Sequence, residues 1–147
     1  MAAGGHAGAP RVVTGGGLMR TVLIVDDDLE MRAMLRDVLM RAGFHVEEAA
    51  SSDELLQRAP RVGPAAIILD HEMPGDWGLE VLPALRKAHP EAAVVFTTAF
   101  GGPAMWEAAA RAGAAACLSK PFRVDDLLAT VRRVLALEPL DCDLSAS

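Results

Sequence analysis

Acidic, hydroxyl and ammonium side chains stand directly after short apolar runs at four places in this 147-residue chain. The residues at these places are Asp26, Asp27, Asp28, Asp70, Thr98 and Lys120. Carboxylates that converge on one point repel one another unless a cation lies among them. A hard divalent ion with oxygen ligands removes that repulsion, and Mg²⁺ is the ion that these carboxylates predict.

Lys120 and Thr98 extend this chemistry beyond metal binding. An ammonium group beside carboxylates can act as their counter-ion or hold an anion joined to them, and a threonine hydroxyl can donate to the same anion. A metal ion, an ammonium and a hydroxyl around one carboxylate supply what phosphoryl transfer needs, namely charge neutralisation and a positioned nucleophile. Asp70 would be that nucleophile.

Simpler roles also exist for the three consecutive aspartates. Asp28 directly precedes a helical pattern, so we expect it to be the N-cap of that helix. Asp26 and Asp27 could be ordinary turn residues. Their combination with Asp70 favours the metal site.

The elements that would position these residues are strands alternating with helices. Strands are predicted at 21–25, 45–49, 65–69, 92–97 and 114–119. Apolar residues at helical spacing predict helices at 31–42, ended by Gly43, and at 124–135, with weaker segments at about 52–59, 79–88 and 103–112. This alternation predicts an α/β fold with a five-stranded parallel sheet covered on both faces. Ligands bind at the carboxyl ends of the strands in such sheets.

Composition limits the classes of function. The chain has 14 basic and 20 acidic residues, so we expect no direct contact with nucleic acid. No apolar run approaches the roughly 18 residues of a membrane span, and two cysteines make no disulfide framework. A cytoplasmic protein is therefore expected. We expect residues 1–20 to be a disordered or weakly ordered arm, 21–137 one domain, and 138–147 a flexible tail.

Four segments resemble one family in their order and spacing. LIVDDD, ILDHEMPGDWGLEVL, VVFTTAF and LSKPF are similar to the receiver domain of two-component response regulators, including the single-domain chemotaxis regulator. The resemblance covers about residues 21–137. It implies a (βα)5 doubly wound, flavodoxin-like fold.

The resemblance also implies a set of Mg²⁺ ligands. Asp27 resembles the direct carboxylate ligand, and Asp26 resembles the ligand that acts largely through water. Asp70 and the backbone carbonyl of Glu72 complete the protein ligands. Met73, Pro74, Gly75 and Gly78 look like the loop that follows the phosphoacceptor.

Phosphorylation is implied for Asp70, which would accept a phosphoryl group from a sensor histidine kinase or a phosphotransfer protein. Thr98 resembles the switch hydroxyl, and Lys120 resembles the residue that pairs with Asp70 and then with its phosphoryl group. In relatives the bond before the proline matching Pro121 is cis.

Three positions depart from the family or have no assigned role. Cys117 stands where many receivers have an aromatic rotor, and we expect it to be a small buried strand residue. Trp106 should lie on the shoulder of the fourth helix, on the face formed with strand five and helix five, where partners or a second receiver dock in relatives. Phe100 could shield an acyl phosphate from water. His71 is expected at the surface, because side chains alternate along a strand.

The resulting hypothesis is a stand-alone receiver that is a phosphoacceptor switch rather than an enzyme. Its output would pass through an unknown downstream protein or through a receiver homodimer. The alternatives are a fragment of a longer regulator, a Mg²⁺-dependent phosphohydrolase and a phosphorylation-independent interaction module. The phosphohydrolase is disfavoured because such enzymes usually carry a D-x-D motif on the first strand and a cap.

Overall fold

Five parallel strands form the centre of the protein in a computed structural model, which describes residues 13–14, 17–18, 20–73 and 76–136. The strands are β1 Thr21–Val25, β2 His45–Ala49, β3 Ala66–Asp70, β4 Ala93–Thr98 and β5 Ala116–Ser119. Their order in the sheet is β2-β1-β3-β4-β5, and every neighbouring pair is parallel. The predicted α/β class is confirmed, and the order reverses between β1 and β3.

Five helices connect and cover these strands. They are α1 Leu29–Arg41, α2 Ser52–Val62, α3 Gly78–Ala88, α4 Pro103–Ala112 and α5 Val124–Val134. Asp28 caps α1 as expected, since its carboxylate accepts hydrogen bonds from the backbone N–H groups of Glu30 and Met31. Gly43 follows the end of α1 with a φ of 99°, a conformation that favours glycine.

The second helix is longer than its apolar pattern predicts. It continues through Pro60 to Val62 instead of ending near residue 59. Gly63, at a φ of 60°, ends it by donating its N–H to the carbonyl of Ala59. The end of α2 is therefore set by the left-handed glycine and not by the proline.

Alternating residues of the strands face two separate apolar layers. On β3, Ile67 and Leu69 pack with the side of the molecule that carries α2, α3 and α4. Ile68, between them, packs with α1 and α5. All three are buried, as a parallel sheet covered on both faces requires. This double cover fixes the strands whose carboxyl ends carry the polar residues.

Two short antiparallel pairs lie outside the main sheet. Val13–Thr14 pairs with Gly17–Leu18, and Glu72–Met73 pairs with Asp76–Trp77. Residues 1–12, 15–16 and 19 of the predicted N-terminal arm, Pro74 and Gly75 of the loop, and the predicted tail at 138–147 fall outside the described residues. Among the described helices, none has the length and apolar character needed to cross a membrane.

Candidate functional site

Three carboxylates meet at the carboxyl ends of β1 and β3. Val25 is paired with Leu69 in the parallel ladder, so the residues that follow, Asp26 and Asp70, lie side by side. Asp26, Asp27 and Asp70 each offer an oxygen within 4.8 Å of the others. Asp26 and Asp70 are buried, whereas Asp27 is exposed. The sheet thus brings together the acidic residues that the sequence predicted to converge.

Lys120 joins two of these carboxylates. Its Nζ donates to Asp26 Oδ2 and to Asp70 Oδ1, each at 3.0 Å. The peptide bond between Lys120 and Pro121 is cis, as the resemblance implied. The Lys120 backbone N–H donates to the carbonyl of Thr98 at 2.8 Å, which anchors the end of β5 to β4. The ammonium is therefore the counter-ion of the acidic group.

For Asp70 and for Lys120, burial shifts the pKa in one direction and the opposite charge of the partner shifts it in the other. Burial raises the pKa of Asp70 to about 6, and the neighbouring Asp26 also raises it, although Lys120 and the Glu72 backbone N–H act against this. For Lys120, burial lowers the pKa, but its hydrogen bonds and charge interactions with Asp70 and Asp26 outweigh that effect and raise the pKa. Lys120 therefore stays charged at neutral pH, whereas Asp70 loses its proton around pH 6.

Thr98 is fully buried at the end of β4 and belongs to a small hydrogen-bond network. Its hydroxyl donates to Glu72 Oε2 and accepts the backbone N–H of Phe100 at 3.0 Å. The backbone N–H of Ala99 donates to Glu72 Oε1 at 3.0 Å. Both oxygens of one carboxylate are thus held at the end of the strand that carries the predicted switch hydroxyl.

The side chain of Glu72 is a feature that the sequence did not reveal. Only its backbone carbonyl was expected to take part, as a metal ligand. Its backbone N–H donates to Asp70 Oδ1 at 3.3 Å, while its side chain reaches the residues 26 and 27 positions further along the chain. No local pattern predicts such a contact, because it depends on the path of the loop between β3 and α3.

The start of α3 passes very close to the end of β3. A Cβ added to Gly78 would lie 2.7 Å from the carbonyl oxygen of Asp70 and 2.9 Å from the Cα of His71. The Gly78 N–H donates to the carbonyl of His71 at 2.9 Å. Glycine at 78 is therefore needed for the close approach of α3 to the end of β3.

The prediction that His71 lies at the surface is wrong. His71 is buried, and its ring lies 5.1 Å from that of Trp77 and 5.2 Å from that of Phe96. Its Nδ1 accepts the backbone N–H of Leu79 at 3.1 Å, at the start of α3. The alternation argument failed because the chain turns after Asp70, and the exposed Trp77 folds against the imidazole.

The two positions considered for signal output are both partly buried. Cys117 is half-buried beside the core layer of α2, α3 and α4, less enclosed than expected, and burial raises the pKa of its thiol. Trp106 is half-buried on α4, in agreement with its predicted shoulder position. Its ring lies over Gly101, where an added Cβ would be 2.5 Å from the indole and 3.0 Å from Ser119 Oγ.

Phe100 does not lie in the core. Its side chain is 70% exposed and lines an open apolar groove with Leu79, Pro103 and Met105. Its shielding of an acyl phosphate stays a prediction, since the exposed ring would have to move with its loop.

The carboxylate group fits a hard divalent cation. Two of the three carboxylates are buried, and a single ammonium neutralises only part of their charge. The donors are all oxygen atoms, which Mg²⁺ prefers over nitrogen or sulfur ligands. The chemistry of the donors therefore agrees with the metal that the sequence predicted.

Most of the chain is similar in sequence to proteins of one known family. The model of the response regulator receiver domain matches residues 22–132. The chain is 32% identical over 116 residues to chemotaxis protein CheY of Thermotoga maritima, covering 78% of this chain and 97% of that protein. It is 29% identical over 117 residues to sporulation initiation phosphotransferase F of Bacillus subtilis, covering 80% and 94%.

A solved structure gives the same answer for the fold. Chemotaxis protein CheY4 of Vibrio cholerae superimposes with a TM-score of 0.75 at 34% identity, covering 79% of this chain and 98% of that one. The flavodoxin-like, doubly wound arrangement is thus confirmed. With a family match over most of its length, the chain belongs to the response regulator receiver domain family.

Proposed function

We propose that Asp70 is the phosphoacceptor of this receiver and that Mg²⁺ assists its phosphorylation. The observation that carries the proposal is the position of Asp70 at the switch point of the sheet, where it is buried and shares the Lys120 ammonium with the Asp26 carboxylate. A buried carboxylate beside an ammonium and a second acidic group serves poorly as a structural ion pair, because burial of the charges opposes their attraction. The same arrangement of side chains suits a nucleophile that accepts a phosphoryl group, which carries two negative charges.

In the proposed step, an oxygen of the Asp70 carboxylate attacks the phosphorus atom of the donor. A new P–O bond forms, and the bond between phosphorus and the donor nitrogen or oxygen breaks, with its electron pair leaving on the donor. The Lys120 ammonium moves its hydrogen bond from the carboxylate to a phosphoryl oxygen. The Thr98 hydroxyl donates to another phosphoryl oxygen.

Asp26, Asp27, Asp70 and the backbone carbonyl of Glu72 would hold the Mg²⁺, with Asp26 acting through water. When bound, the ion neutralises charge on the phosphoryl oxygens. The acidic group supports this role, since the ion would also relieve repulsion among the three carboxylates.

The phosphoryl donor is proposed to be a sensor histidine kinase or a phosphotransfer protein. Two relatives have names that point to signalling and phosphoryl exchange, a chemotaxis protein and a sporulation phosphotransferase. We place the exchange in the cytoplasm, since the two cysteines make no disulfide framework of the kind found in exported proteins. The chain would act as a switch, with α4, β5 and α5 as the output face towards a downstream protein or a second receiver.

Phosphorylation can be tested directly by intact mass. We expect wild-type protein incubated with acetyl phosphate and Mg²⁺ to gain the mass of one phosphoryl group. The Asp70→Asn variant, or wild-type protein in the presence of a chelator, should gain none. Equal labelling of Asp70→Asn would overturn the assignment, and turnover of a panel of phosphoesters would point to a phosphohydrolase instead.

A further inference from the structure

The Glu72 carboxylate holds two donors that lie beside the proposed phosphoacceptor. Its Oε2 accepts the Thr98 hydroxyl, and its Oε1 accepts the Ala99 backbone N–H at 3.0 Å. Glu72 itself is attached to Asp70 through the hydrogen bond from its N–H to Asp70 Oδ1, at 3.3 Å. The carboxylate therefore lies across the ends of β3 and β4.

These donors are suited to a tetrahedral anion on Asp70. Asp70 is paired with Thr97 in the parallel ladder, so the two residues that follow, Thr98 at the end of β4 and Ala99 after it, reach the space beside its carboxylate. An anionic oxygen forms stronger hydrogen bonds with a hydroxyl and an amide than a neutral acceptor does. A carboxylate and a phosphoryl group cannot both occupy the same two donors.

Nothing else in the described part of the chain holds the Glu72 carboxylate through an ion pair with lysine or arginine. Lys120 is occupied by Asp26 and Asp70. The Glu72 side chain is half-buried, so water can solvate it once it leaves the donors. The Glu72 carboxylate can therefore leave the Thr98 hydroxyl and the Ala99 N–H when another anion takes its place.

We propose that Glu72 is a built-in competitor of the phosphoryl group, whose carboxylate occupies the Thr98 hydroxyl and the Ala99 N–H until an anion on Asp70 displaces it. This inference rests on the proposed function of Asp70. The unphosphorylated receiver is thereby held in one arrangement of β4, and the exchange of carboxylate for phosphoryl group starts the switch. The side chain at 72 sets how easily the exchange occurs.

The test uses beryllofluoride, a tetrahedral anion that binds to a carboxylate in place of a phosphoryl group. Its bound signal can be followed by ¹⁹F NMR at saturating Mg²⁺, for wild type, Glu72→Ala and Glu72→Gln. The apparent affinity is lower when fewer molecules have an open site. Removal of the competitor opens the site in more molecules and should therefore tighten binding. We expect Glu72→Ala to bind roughly fivefold more tightly, the equivalent of about one net hydrogen bond.

Two controls separate competition from other effects. Glu91→Ala removes an equal charge at the amino end of β4, away from the site, and should leave the affinity unchanged. Every variant retains the backbone carbonyl of residue 72, so Mg²⁺ should still bind. Calorimetry measures the Mg²⁺ affinity of each variant separately, so that a change in metal binding is not mistaken for a change in anion binding. The beryllofluoride affinity of Glu72→Gln should lie between those of wild type and Glu72→Ala, since its amide offers one acceptor oxygen for two donors. This variant replaces Glu72→Ala in the test if Glu72→Ala fails to fold.

The outcomes are distinct. Tighter beryllofluoride binding by Glu72→Ala, with an upfield shift of the Ala99 amide proton before the anion is added, supports the competition. Unchanged or weaker binding by both Glu72 variants overturns it while leaving Asp70 as the phosphoacceptor. If wild-type protein binds no beryllofluoride, the proposed function itself fails.

Discussion

The carboxyl group of Asp70 experiences opposing influences that define its chemistry. Burial and the nearby Asp26 disfavour its charge, while Lys120 favours it, and the pKa is raised to about 6. The folded protein therefore binds a proton at this group more tightly than the unfolded chain, whose pKa lies near 3.8. This group stabilises the fold fully below about pH 4, and that contribution is lost as the pH rises through 6.

The Asp70→Asn variant should reveal this loss in protein kept free of divalent ions. We expect the free energy of unfolding of the variant, minus that of wild type, to increase by roughly 2 to 3 kcal/mol between pH 4 and pH 7, at about 1.4 kcal/mol per pKa unit. Urea unfolding at several pH values measures it. A difference that stays constant with pH would show that the folded and unfolded states share one pKa at this residue.

Gly101 tests the packing of Trp106 over the loop after β4. A Cβ at 101 would fall 2.5 Å from the indole, so Gly101→Ala should displace the ring and shift its fluorescence towards that of exposed tryptophan. We expect a loss of about 1 kcal/mol in stability, since a side chain can move away. In a Trp106→Leu background the same substitution should have little effect. Equal losses in both backgrounds would mean that the two residues are not coupled.

Single residues differed in how well the sequence could predict them. Asp26, Asp70 and Lys120 were predictable because each one lies at the carboxyl end of a strand, and parallel strands end at one edge. The contacts of the Glu72 carboxylate and the burial of His71 were not, since both depend on residues distant in sequence or beyond the turn: Glu72 reaches Thr98, and His71 packs against Trp77 at the start of α3.

The close contact between β3 and α3 fixes the proposed phosphoacceptor in place. Gly78 is the first residue of α3 and approaches the backbone of Asp70 and His71. Backbone atoms in a central strand cannot easily move, so the space for a side chain is absent. The start of α3 and the end of β3 therefore behave as one unit.

Gly78→Ala distinguishes this contact from helix propensity. Alanine in a helix is usually favoured over glycine by roughly 0.5 to 1 kcal/mol. We expect the opposite sign here, a destabilisation of about 1 to 3 kcal/mol from overpacking, because a Cβ would lie 2.7 Å from the Asp70 carbonyl. Chemical denaturation measures it. A stabilised variant would show that the start of α3 can move away from β3 without strain.

Strands were easier to predict than helix ends. The apolar runs after Arg20 and Pro64 are continuous and short, which is typical of buried parallel strands, and both formed β1 and β3. The end of α2 was misplaced because the apolar pattern fades near residue 59, whereas the left-handed Gly63 ends the helix. Helix termini depend on single caps rather than on periodicity.

The molecule as a whole is a sheet that gathers distant residues at its switch point. Asp26 and Lys120 are 94 positions apart in sequence, yet their side chains form a hydrogen bond of 3.0 Å. The order of the strands places β1 and β3 side by side and β5 beyond β4. The fold class followed from the alternation of strands and helices, but the contacts above the sheet required the structure.

The most direct test of the account is the location of the phosphoryl group. Protein treated with acetyl phosphate and Mg²⁺ can be reduced with borohydride, which converts an aspartyl phosphate into homoserine, and then digested and sequenced by mass spectrometry. The account predicts homoserine at position 70 alone, and none when Mg²⁺ is chelated. Homoserine at position 26 or 27, or phosphate found on His71, would contradict the assignment of Asp70 as the phosphoacceptor.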